Sequence, residues 1–131
     1  MATTKASPFS LEINSRQSPV FRVPPSVSNL SLDTTGGEIN IQIGDLSSFF
    51  DEKIKEGRST DVNSPIIIHG ALGTNKITVS LLGENDNFGY NQEGVPFKKA
   101  SSVAPYHSSV MFITPIGSGR WIASGTVALS V

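Results

Sequence analysis

Short runs of alternating apolar and polar residues, each closed by a turn former, dictate extended structure along this chain. The cleanest is Glu38-Ile39-Asn40-Ile41-Gln42-Ile43, isoleucines interleaved with polar side chains. Successive side chains of a strand point to opposite faces, so such a run is a strand with one face buried. Phe9, Leu11 and Ile13 alternate with Ser10, Glu12 and Asn14, and Lys76 to Leu81 alternates likewise. So do Val127, Leu129 and Val131, between Thr126, Ala128 and Ser130. Val20 to Val23, Val27 to Leu32, Ile66 to His69 and Ser109 to Thr114 are shorter candidates. Pro24-Pro25, Gly36-Gly37, Gly73, Pro115 and Gly117-Ser118-Gly119 separate these segments, and such residues set the backbone angles of turns. A strand at Thr126 to Val131 frays unless a sheet holds it, so this segment is expected to be structural.

One helix is expected, over Asp45 to Glu56. Ser48 followed by Asp51 resembles a capping box, Asp51 and Lys55 stand in the favourable i,i+4 order, and Gly57 suits the position after the helix. Strands and helices do not alternate as in a parallel α/β fold, and no internal repeat of useful period is visible. The expected fold is therefore all-β: an antiparallel β-sandwich, immunoglobulin-like or jelly-roll. It would have about seven or eight short strands and one short helix. The 131 residues suit a single domain, with residues 1–17 a candidate exchanged or flexible N-terminal strand.

Ten Lys or Arg face eleven Asp or Glu, a net charge of −1, so no cationic field exists to neutralise phosphates and nucleic acid is excluded as a partner. Aliphatic runs such as Ile66-Ile67-Ile68 fall far short of the ~20 residues that span a bilayer, so membrane insertion by a helix is not expected. Charged residues make up only 16% of the chain, and Ser, Thr, Asn and Gly take their place. That balance fits a mature extracellular or cell-surface protein. No apolar leader is visible near Met1, and a cytoplasmic location stays open. The chain has no cysteine, which excludes a disulfide frame and thiolate metal sites.

Chemistry is sparse. His69 and His107 are the only imidazoles, and Ser108 or Ser109 beside them suggests a hydrolytic set. No nucleophile elbow accompanies them, and histidines at strand ends and turns are the simpler reading, so no catalytic residue is assigned. Glu84-Asn85-Asp86-Asn87 is the densest oxygen cluster, but it lacks EF-hand spacing and reads as an Asx-rich turn. No metal or cofactor is expected. The same loop continues through Phe88 and Tyr90, so Glu84, Asp86, Asn87, Phe88 and Tyr90 form a candidate ligand loop. An aromatic ring there could stack on a sugar while amides and carboxylates bond its hydroxyls. Trp121 reads as a plug at the core edge, and Lys98-Lys99 as a solvated pair.

The segment Ser10-Leu11-Glu12-Ile13-Asn14-Ser15-Arg16-Gln17-Ser18-Pro19-Val20 resembles the donor-strand extension of cysteine-free chaperone-usher pilin subunits. The stretch from Gly117 to Val131, a glycine turn followed by an aromatic and an alternating strand, resembles their closing strand. The resemblance implies an incomplete sandwich, completed when a neighbour adds a strand. Phe9, Leu11 and Ile13 would be the inserted side chains, and Val127, Leu129 and Val131 would border the groove. The expectation is a non-enzymatic, fimbria-like structural subunit that self-associates or takes a partner strand. The alternatives are a lectin-like module that binds glycan through the Glu84 to Tyr90 loop, or a virion structural protein.

Overall fold

The computed structural model describes residues 3–7, 10–58, 62–102 and 110–131, with side chains from residue 10 onward. The strands are β1 (Thr3–Ser7), β2 (Ser10–Asn14), β3 (Val20–Arg22), β4 (Asn29–Asp33), β5 (Ile39–Ile43), β6 (Ile66–Leu72), β7 (Ile77–Leu81), β8 (Lys99–Ser102), β9 (Val110–Gly117), β10 (Arg120–Gly125) and β11 (Ala128–Ser130). The helix α1 (Leu46–Lys55) lies between β5 and β6. One sheet runs β1-β2-β4-β6-β9-β10 and the other β11-β8-β7-β5-β3. The result is an all-β, two-sheet sandwich with one short helix.

Strand direction departs from the antiparallel pairing expected of an immunoglobulin-like or jelly-roll sandwich. The ladders β2–β4, β4–β6, β3–β5 and β5–β7 are parallel. From β2 to β7 the chain changes sheet after every strand, so each return to a sheet comes in the same direction. Antiparallel pairing takes over at β6–β9, β9–β10, β7–β8 and β8–β11, and also joins β1 to β2. β4, β5, β6 and β7 are each buried on one face, so their sequences alternate as antiparallel strands would. Parallel sheets usually betray themselves by continuous apolar runs, because both faces are covered. Here that signal is missing.

The winding stacks like residues on like. Leu11, Leu30, Ile68 and Met111 lie in register across one sheet. Phe21, Ile41, Val79 and Ala100 do so across the other. The facing rows make one core, in which Leu32, Ile41, Ile43, Val79 and Ile113 are fully buried. Even the corners repeat. Asn14 and Asp33 are register partners, and each accepts a hydrogen bond from the backbone N–H two residues on, Arg16 and Thr35, both at 2.9 Å. The structure thus holds a repeat that the letters conceal. Ser10 is in register with Asn29, and Asn29 with Ile67, so the second winding carries about twice as much chain as the first. The excess includes α1.

The helix begins one turn earlier than a Ser48 cap implies. Asp45 is the N-cap, and its carboxylate accepts from the Ser48 N–H at 3.3 Å. Leu46, Phe49 and Lys53 are the buried side. The closing alternation divides into β10 and β11 at Gly125, where φ is +94° and a Cβ would collide with the Val110 carbonyl oxygen. Strand β8 carries no strand signal in the sequence, because Ala100, Ser101 and Ser102 lack the bulk that marks one.

Ile41 sits mid-stack and is fully buried, whereas Ile122 is 45% exposed on the outer face. Urea denaturation should show Ile41→Ala losing about 3–4 kcal/mol, while Ile122→Ala changes stability by about 0.5 kcal/mol or less. Equal losses would contradict this core.

Candidate functional site

Two regions carry the candidate residues: the loop after β7 and the edge formed by β11. In the loop, the structure turns inward the residues chosen for ligand binding. Asp86, Asn87 and Phe88 are buried, and only Glu84 and Tyr90 of that set face solvent. Asp86 Oδ2 accepts from the Leu46 N–H at 2.9 Å and from Trp121 Nε1 at 3.1 Å. One carboxylate oxygen therefore ties the start of α1 to the indole in β10. Asn87 continues the knot. Its N–H donates to the Gly119 carbonyl at 2.8 Å, and its carbonyl accepts from the Trp121 N–H at 2.9 Å. Gly119 has φ +76°, and a Cβ there would meet the Asn85 carbonyl oxygen at 2.5 Å.

Lys98 is no solvated lysine. Its Nζ donates to the backbone carbonyls of Gly83 at 2.6 Å and Glu84 at 3.2 Å, and also to that of Asp86. The ammonium occupies the middle of the loop as a bound cation would. The sequence signal was faint: a lysine one strand-start after a run of Asx and Gly residues. Trp121 is fully buried, and Phe49 meets its ring edge-on at 5.4 Å. Beyond Phe88 the chain turns on Asn91, whose Oδ1 accepts from the Glu93 and Val95 N–H groups at 2.9 Å. Tyr90 is left 61% exposed on that ordered turn.

Burial raises the Asp86 pKa above its ordinary 3.8, and the nearby Asp45 charge adds to the rise. The hydrogen bonds from Trp121 and Leu46 and the Lys98 charge oppose it without reversing it.

The histidines assemble no catalytic set among the described residues. His69 is exposed on the outer face of β6. It is in register with Ser31, and Ser31 with Glu12. The hydroxyl stands between acid and imidazole, so no carboxylate orients the ring as a general base requires. His107, Ser108 and Ser109 lie outside the described residues. Among the described residues no three His, Asp or Glu side chains gather to hold a metal ion. No described helix is long and apolar enough to cross a membrane.

The strand-exchange candidates divide. Leu11 and Ile13 lie in β2, between β1 and β4, and Ile13 is only 1% exposed in the chain's own core. Phe9 lies outside the described residues. Val127, Leu129 and Val131 sit instead at an open edge. Among the described residues β11 pairs with β8 alone, and Leu129 is in register with the inward-facing Ala100. Yet Leu129 is 38% exposed and Val131 57%. Val127 is half-buried against the core, and a groove of about 420 Å³ runs along the strand beside Lys76, Ser101 and Ser102. The chain matches no protein-family model, no curated protein and no solved structure.

The raised Asp86 pKa has a sign. A group that binds its proton more tightly folded than unfolded contributes stability that is fully present below its unfolded pKa and fades as pH rises through the folded one. Wild type should therefore gain stability relative to Asp86→Asn as pH falls toward the ordinary carboxylate range. Trp121 is the sole tryptophan, so its fluorescence should step at a midpoint above 3.8 and lose that step in Asp86→Asn. Asp86→Ala strands two buried N–H donors, each costing about 1–3 kcal/mol. A pH-independent emission would overturn this assignment.

Proposed function

We propose that this protein is a non-enzymatic structural subunit of a surface assembly, fimbria-like or virion-like, that associates by adding strands at β11. One observation carries the reading: a sheet edge with no partner strand among the described residues, at which the inward-pointing Leu129 and the neighbouring Val131 remain exposed. An unpaired edge offers backbone N–H and C=O groups as a template, and apolar side chains at its mouth reward whatever covers them.

Two of the other sheet edges are interrupted, β3 along its length and β10 at its start. β3 has three residues, follows Pro19, precedes Pro24 and Pro25, and carries the exposed Arg22. The start of β10 is covered by Asn87, which bridges Arg120. Short length, proline, charge and covering loops are the devices by which sheets avoid edge-to-edge contact. Thr126 to Val131 holds no charged residue and no proline. What supports the subunit reading is this edge rather than the donor segment, because Ile13 already fills the chain's own core. The glycan reading rests only on Glu84 and Tyr90, since Asp86 and Asn87 are spent on internal hydrogen bonds.

Light scattering after size exclusion, across a concentration series, tests the proposal. Wild type should grow in mean mass with concentration. Leu129→Lys, which puts a charge on the edge, should stay monomeric with an unchanged melting temperature. A wild-type monomer at every concentration would sink the reading.

A further inference from the structure

Resting on that reading, we infer that the strand β11 receives is β11 of a second copy, antiparallel across a two-fold axis at Leu129. The first argument is exclusion. Head-to-tail stacking would lay β11 of one copy on β3 of the next and extend without end. β3 is a poor acceptor: prolines flank it on both sides, and it exposes Arg22. Proline contributes no N–H to a ladder, and it confines pairing to the few residues between.

The second argument is register. With Leu129 opposite Leu129, Val127 of each copy meets Val131 of the other, and Ala128 meets Ser130. All three inward apolar residues then find an inward apolar partner. Shifting by one residue would set inward against outward side chains. The third argument is charge. Thr126 to Val131 carries no charged side chain, so a self-complementary contact opposes no like side-chain charges. The same symmetry spends β11 in pairs, so a larger surface assembly grows from dimers through contacts elsewhere on the subunit. An edge this short buries far less than the roughly 800 Å² per partner of a standard stable interface. The dimer is therefore weak, and its population follows protein concentration.

The absence of cysteine makes the test direct. Leu129→Cys, oxidised at a concentration where wild type self-associates, should give a disulfide-linked dimer, since directly opposed strand residues have Cα atoms at a separation a disulfide can span. Val20→Cys, at the exposed start of β3, should stay unlinked, and a mixture of the two variants should give no mixed product. Mixed Val20→Cys with Leu129→Cys products, or linked chains longer than two, would overturn the two-fold arrangement in favour of stacking. So would an unreactive Leu129→Cys while wild type is oligomeric, and in either case the broader subunit reading would stand. Wild type monomeric throughout would remove both. Should Leu129→Cys fail to fold, hydrogen exchange on the unmodified protein decides. Slowing with concentration confined to residues 126–131 supports the dimer, and matching slowing at Val20 to Arg22 overturns it.

Discussion

In-register stacking of inward side chains across parallel strands is the constraint on which the rest of this structure depends. Leu30 holds its place because Leu11 and Ile68 flank it at the same height, and Ile41 because Phe21 and Val79 do. A one-residue slip in any ladder would turn an entire row from core to solvent. The corner bonds of Asn14 and Asp33 repeat at the same height, so turn and strand agree on one register. Because the chain alternates sheets, one ladder's register fixes that of the ladder facing it.

The Asp86 knot solves a different problem. The long excursion between β5 and β6 carries α1 away from the winding, and a ten-residue helix has little stability of its own. A single carboxylate oxygen anchors its first turn to the Trp121 indole, and Phe49 packs edge-on against the same ring. Lys98 gathers the loop carbonyls from below. Burying a carboxylate is costly unless its lone pairs are met. Here two N–H donors and a neighbouring ammonium offset part of that cost, and desolvation still raises its proton affinity. Residues that look like a ligand loop are therefore the fastening of the helix.

The switch from parallel to antiparallel pairing after β7 leaves an asymmetric molecule. At one end a three-residue strand between prolines closes the second sheet, and at the other an uncharged strand leaves it open. Of the residues singled out for strand exchange, the two described in β2 belong to the closed interior. Those of β11 belong to the open edge. The pattern of alternation is the same in both, and only their neighbours separate them.

The sequence alone determined what local rules govern: extended segments, their inward faces, the turns between them and one helix ended by Gly57. These follow from side-chain alternation and backbone preference, which act over a few residues. It also marked Val127, Leu129 and Val131 as a strand with an apolar face. Tertiary structure decided which strands pair and in which direction, because one-sided burial writes the same alternation into parallel and antiparallel ladders. It decided that Asp86, Asn87 and Phe88 turn inward, since their partners Leu46 and Trp121 lie far away in the chain. And it decided that, among the described strands, β11 stands at an edge while β2 is enclosed, for an edge is defined by the neighbours a strand lacks.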